Sequence, residues 1–243
     1  MRRFALGACA PAVTAYRSAP RPIARLSAPG LTTCLSPRAP IMCLSALALI
    51  MCLSAPGTAH AEPPGIPTAD AARGMLGSLT VADEGSMSGY AREKFPHWST
   101  ASGKCTTREA VLQRDGTGVE VDAECRPTAG SWHSPYDGKT VTDPSAADID
   151  HVVPLADAWR SGAAEWSDDQ RERLANDLEH PQLIAVTAAS NRSKGDQDPA
   201  QWLPTDTGFR CTYASMWVAV KSAWQLTLQQ SEKDALDSVL RGC

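Results

Sequence analysis

Between residues 148 and 198 the chain runs strand, strand, helix, in an order that leaves little room for another fold. Asp148-Ile149-Asp150-His151 alternates polar and apolar, then passes into Val152-Val153-Pro154-Leu155. Alternation followed by β-branched residues predicts a strand, ended where Pro154 has no amide hydrogen to give a ladder. Asp150 and His151 are neighbours on it, so their side chains leave opposite faces and cannot share one apolar core. A second β-like run, Gln182-Leu183-Ile184-Ala185-Val186-Thr187, ends in a residue suited to capping a helix. Residues 188–194 then fit a short helix closed by Gly195, with Asn191 and Lys194 on one face. Brought together, these elements make a small cradle for one divalent cation.

Three blocks inside the stretch carry a resemblance. Asp150-His151-Val152-Val153-Pro154, Pro181-Gln182-Leu183 and Asn191-Arg192-Ser193-Lys194-Gly195-Asp196 resemble those of the HNH endonucleases, the ββα-metal or His-Me finger nucleases. Flanking blocks, among them Trp132-His133-Ser134-Pro135-Tyr136-Asp137-Gly138-Lys139 and Asp198-Pro199-Ala200-Gln201-Trp202-Leu203-Pro204, are similar to secreted bacterial HNH proteins. The domain of those proteins is similar to the C-terminal part of the GmrSD restriction enzymes, and the likeness covers most of residues 103–243. It implies an α+β fold: a ββα-metal core, a helical insertion between the motif strands and a C-terminal helical hairpin. The implied activity is metal-dependent hydrolysis of nucleic acid, DNA favoured, with little sequence preference and 5′-phosphate products. Under it His151 is the general base, while Asp150 and Asn191 hold one divalent cation, Mg²⁺ first and Mn²⁺ as a substitute. Lys194 contacts the substrate phosphate. An imidazole with an ordinary pKa near ~6.5 suits a base at neutral pH.

One position departs from that pattern. The family places Asn directly before a Leu, mainly to hold the loop behind the catalytic strand; here Gln182 precedes Leu183, and Asn176 lies six residues earlier. Gln keeps the amide and adds a methylene, so loop geometry is expected to change and metal ligation is not. Asp148 shares a face with Asp150 and is read either as its supporting neighbour or as a solvated acid. Arg192 is a weaker phosphate candidate than Lys194. His133, Tyr136 and Lys139, just before the first motif strand, are further candidates for lining the cleft. The rival reading is an exported binding domain that kept this fold and lost catalysis, with Gln182 as its support.

Residues 1–61 contain six arginines and no acid, an apolar run over 41–55, and Ala59-His60-Ala61, a small-x-small cleavage site. That pattern predicts a secretory leader cut after Ala61, its apolar run too short for the ~20 residues that span a bilayer. No membrane or protein partner is expected of the exported chain. Taking the leader's six arginines from the 23 basic residues leaves 17 against 27 acids, a formal charge near −10. A basic body for nucleic acid is thereby excluded, and phosphate must be met by a local patch, a cation, or both. No helix presents a basic, base-reading face, which argues against sequence-specific binding.

Four cysteines, Cys105, Cys125, Cys211 and Cys243, follow the leader with no Cys-x-x-Cys pair among them, the pattern of disulfides and not of a zinc knuckle. Of three possible pairings, locality favours Cys105–Cys125 with Cys211–Cys243. Residues 62–68 read as a disordered Pro-rich tether and 69–243 as one domain. Within it helices are expected at 69–85, 106–114, 156–161, 167–178 and 198–204, with a hairpin of two more at 211–224 and 228–240. Residues 90–98 read as an irregular aromatic segment, 115–118 as a turn and 130–138 as a loop. Strands are expected at 119–125 and 139–142.

Overall fold

The computed structural model describes residues 62–243; the predicted leader lies outside them. In chain order the elements are α1 (Ala69–Ser78), β1 (Thr100–Ser102), β2 (Cys105–Thr106), α2 (Thr107–Asp115), β3 (Gly116–Val121), β4 (Pro127–Ser134) and β5 (Lys139–Val141). They continue with β6 (Ala147–His151), α3 (Leu155–Arg160), α4 (Asp168–Ala175), β7 (Leu183–Thr187), α5 (Ala188–Lys194), α6 (Arg210–Ala223) and α7 (Gln230–Arg241). The fold mixes helix and sheet, as expected of an α+β chain. Its sheets are small: β1–β2, the meander β3–β4–β5, and β6–β7, all antiparallel.

The β6–β7 pair is the partition of the molecule. Asp150 lies opposite Ile184 and His151 opposite Leu183, so alternate residues serve two different cores. Ile184 and Val186 join the larger cluster, built with Leu76 of α1, Trp159 of α3, Trp217 of α6 and Leu236 of α7. Ile149, Leu183 and Ala185 join a second cluster with Val111 and Leu112 of α2 and Trp132 of β4. A two-stranded sheet has little stability alone. Here both faces are buried, each large apolar side chain contributing roughly 1.5–3 kcal/mol. The outer edge of β7 is closed from α2: the Asp115 carboxylate accepts the Ala185 amide at 2.7 Å, and Arg114 donates to the Leu183 carbonyl.

Start signals in the sequence map well onto the helices. Thr106 and Glu109 form a capping box on α2, and Ser167 and Gln170 form another on α4. The helical hairpin of α6 and α7 is present, and both favoured disulfides form, Cys105–Cys125 and Cys211–Cys243. Closing loops of 20 and 32 residues restricts the unfolded chain by about 3–4 kcal/mol each in the chain-entropy model.

Five expectations change. Residues 130–138 are not a loop throughout, because β4 runs to Ser134; nor do residues 115–118 form a turn, since Gly116 opens β3. Both glycines lie under the Trp132 indole, where an added Cβ would come within 2.6 Å of the ring at Gly116 and 2.7 Å at Gly130. The glycines therefore mark a close approach of ring to backbone inside a sheet. The first helix stops at Ser78, and the chain continues extended so that Val81 bridges Leu228. Residues 198–204 make a single turn rather than a helix: Asp198 accepts the Ala200 amide on its carboxylate and the Trp202 amide on its carbonyl before Pro204 ends the run. Residues 62–68 are ordered, with Pro63 buried, Ile66 packed on the larger core and Thr68 capping α1.

Candidate active site

The motif residues converge where β6 ends and α5 crosses it. A cleft of about 220 Å³ is lined by Asp150, His151, Asn191, Arg92, Arg192 and Asp196, among others.

Asp150 is 5% exposed and held by three contacts. The Tyr136 hydroxyl donates to Oδ2 at 2.7 Å, and the Lys194 ammonium lies 3.0 Å from both carboxylate oxygens. Burial raises the pKa of Asp150 against the pull of Lys194 and Tyr136. Burial, then the Asp150 charge, holds the Tyr136 hydroxyl well above its ordinary value, so it stays a donor. A carboxylate offers about four lone-pair sites, and these contacts leave one of them.

Lys194 is not where the sequence placed it. It is 0% exposed, and besides Asp150 it donates to the His151 carbonyl at 2.9 Å. Its position on α5 turns it inward against β6, away from solvent. Arg92 and Arg192 are the exposed cations of the cleft, and among the described residues neither guanidinium has an ion pair or hydrogen-bond partner. Arg92 lies in the segment that reads as merely irregular and aromatic, and no signal in the sequence joins it to the motif.

His151 leaves the opposite face of β6 and is 4% exposed. Its Nε2 lies 2.9 Å from the Ala175 carbonyl. A carbonyl accepts only, so Nε2 carries the proton and Nδ1 is the basic nitrogen of the neutral ring. Burial depresses the pKa to about 3, well below the value that the sequence suggested, and the Ala175 bond offsets this only in part. The Trp98 indole stacks on the ring at 5.7 Å between centroids, and His97 meets it edge-on.

Gln182 does what its extra methylene allows. Its backbone carbonyl accepts the Val152 amide, while its side chain accepts the Val153 amide at 3.1 Å and donates to the Val153 carbonyl at 2.9 Å. It thus acts as one more peptide group on the strand, fixing the chain just beyond His151. Asn176, from six residues earlier, binds the backbone of Ser99, Pro96 and Glu172. Loop holding is divided between the two amides.

Asn191 is half-buried and donates through Nδ2 to Asp148 at 3.2 Å, which leaves its side-chain carbonyl oxygen as a free acceptor. Asp148, half-buried, thus contacts Asn191 and not Asp150. Two oxygen donors, one anionic, suit a hard cation that keeps most of its own water. Among the described residues no group of three or more His, Cys, Asp or Glu is placed to hold a metal ion. Of the other cleft candidates, Tyr136 belongs through Asp150, while His133 and Lys139 are exposed on the meander and line other surfaces.

Residues 124–239 match the family described as GmrSD restriction endonucleases, C-terminal domain. A protein of Arthroderma benhamiae named "Uncharacterized secreted protein" is 55% identical over 181 residues, which is 74% of this chain and 89% of that one. No solved structure matches. Among the described residues no helix is long and apolar enough to cross a membrane.

Proposed function

Because this chain belongs to the family of the GmrSD restriction endonuclease C-terminal domain, an HNH-type family, we propose that it is a secreted, metal-dependent endonuclease cleaving nucleic acid, DNA favoured, with little sequence specificity. The secreted relative and the two disulfides support export. The observation that carries the reading is the convergence of Asp150, His151 and Asn191 on one cleft beside two unpaired guanidinium groups. In this reading β6, β7 and α5 are the ββα-metal core.

A phosphodiester resists hydrolysis because its anionic oxygens repel the attacking water, so charge must be neutralised and a proton removed. Arg92 and Arg192 take the phosphate contact in place of Lys194, their planar donors matching its oxygens. Nδ1 of His151 accepts the proton as the water oxygen bonds to phosphorus and the bond from phosphorus to O3′ breaks, leaving a 5′-phosphate. The departing oxygen takes its proton from solvent. The ring's low pKa keeps Nδ1 free at any working pH. Burial that holds the base deprotonated also makes it a weaker acceptor, and the arriving phosphate's charge offsets that. Asp150 and Asn191 would hold the cation, Mg²⁺ first with Mn²⁺ as a substitute. A divalent ion there supplies Lewis-acid neutralisation of charge on the phosphate oxygens. Lys194 and Tyr136 fix Asp150 for that purpose, and Gln182 fixes the strand end.

The rival, a binding domain without catalysis, gains support from the Lys194 ammonium already saturating most of Asp150. Plasmid nicking separates the two. The endonuclease reading expects relaxed circles with Mg²⁺ or Mn²⁺ and none with EDTA; intact supercoiled plasmid in all three would reject it.

A further inference from the structure

Trp98 has an unusual backbone for a bulky residue. Its φ is +64°, in the left-handed region that L side chains avoid. Such a conformation persists only where neighbours over-determine it, and it directs attention to what the side chain achieves. The neighbours are plain: the Asn176 side chain donates to the Pro96 carbonyl at 2.8 Å and accepts the Ser99 amide at 2.9 Å. Ser99 Oγ donates to Glu172 at 2.6 Å, and the Ser99 carbonyl accepts the Thr107 amide at 2.9 Å. Both flanks of Trp98 are therefore pinned to the end of α4.

That same chain end holds the base. The carbonyl that fixes His151 Nε2 belongs to Ala175, next to Asn176. One corner thus locks the imidazole by its edge and lays an indole along its face, with ring planes 29° apart. Offset rings at this separation attract one another and resist rotation about the histidine side-chain bonds. Residues 96–99 also lie outside the span that matches the family, 124–239, so this face of the histidine is supplied from beyond the matched residues.

We propose that Trp98 is a positioning residue for His151, its indole fixing the imidazole plane so that Nδ1 is presented to the cleft. The inference rests on the nuclease reading for its kinetic consequence. An ordinary packing role predicts something different. Trp98 does touch the second core, so a packing residue would be replaced adequately by another apolar side chain of good size.

The test compares Trp98→Leu and Trp98→Met, which keep apolar bulk, with Trp98→Phe, which keeps a flat ring. In the mature chain with Mg²⁺, the Leu and Met variants are expected to lose roughly 10–100-fold in kcat with KM and melting temperature near wild type. Trp98→Phe should recover to within several-fold. Side-chain ¹⁵N spectra should show the single Nε2–H tautomer of His151 in wild type and Trp98→Phe, with broadening in the other two. That spectrum needs no turnover, so a protein that cuts no plasmid rejects the nuclease reading while the spectrum still judges the positioning. Wild-type kcat and an unchanged His151 signal in Trp98→Leu would overturn the proposal. So would failure of both Leu and Met variants to fold, which would make Trp98 a packing residue.

Discussion

The Lys194 ammonium lies 3.0 Å from the Asp150 carboxylate, and solvent reaches none of the lysine. The pair ties α5 to β6 and fixes the orientation of the carboxylate at the cleft. Removing one partner of such a buried pair leaves an uncompensated charge. Lys194→Ala should therefore lose about 3–5 kcal/mol of folding stability, measured by urea unfolding. The salt dependence of DNA binding should not change, because the ammonium meets no phosphate. A well-folded variant with a shallower salt slope would return Lys194 to the substrate.

Arg92 and Arg192 should behave in the opposite manner. Alanine at either is expected to leave stability within ~0.5 kcal/mol. Each should weaken binding of a short duplex in EDTA and flatten the slope of log affinity against log salt by about one. Fluorescence anisotropy over a salt series reads both effects, and an unaltered slope in both variants excludes them from phosphate binding.

Base and ligands should separate. His151→Ala is expected to lose ~10²–10⁴ in rate while calorimetric Mn²⁺ binding persists. Asp150→Ala should lose metal binding and activity together, with Asn191→Ala a milder version, since a neutral amide contributes less to a hard ion than a carboxylate. Normal Mn²⁺ binding by Asp150→Ala contradicts the assignment.

The depressed pKa of His151 has a signed consequence. Unfolded, the ring binds a proton below about 6.5; folded, it binds one only below about 3. Between those values the unfolded chain holds more protons, so stability contributed by this group is complete above the upper value and drains away as pH falls toward the lower one. Urea unfolding at pH 7, 5.5 and 4 should show that decline, and His151→Phe should lessen it. The rate profile should lack the histidine step near neutrality. A clear step there, absent from His151→Ala, would mean that substrate restores an ordinary pKa.

Much of this arrangement is legible in the residues. Alternation through Asp148-Ile149-Asp150-His151 sets the two faces of β6, and the capping pairs Thr106/Glu109 and Ser167/Gln170 start α2 and α4 where local chemistry says they must. Local chemistry does not reveal which side of a short helix turns inward. Lys194 shares a face with Asn191 by spacing, yet Lys194 is buried against β6 while Asn191 stays half-buried at the cleft. Trp98 and Arg92 are illegible for another reason. Their segment is held at the site by Arg171, which donates to the Lys94 carbonyl, by Asn176, which donates to the Pro96 carbonyl, and by Glu172, which accepts from Ser99, all more than seventy residues along the chain. Gly116 and Gly130 mislead by type: glycines suggest turns, and here they make room for an indole.

The grip of Arg114 and Asp115 on β7 bears on where this protein can be cut. A fragment trimmed to the matched span, 124–239, would leave α2 behind and with it the side chains that occupy the strand's outer amide and carbonyl. It would also strand Cys125 without Cys105 and Cys211 without Cys243. A bare strand edge invites pairing with another copy, and unpaired thiols then lock such contacts covalently. A fragment drawn to that boundary should aggregate on expression and lose the Trp98 face of its histidine. Leu76 of α1 and Ile66 pack in the larger core as well, so a fragment that keeps that core closed starts ahead of Ile66.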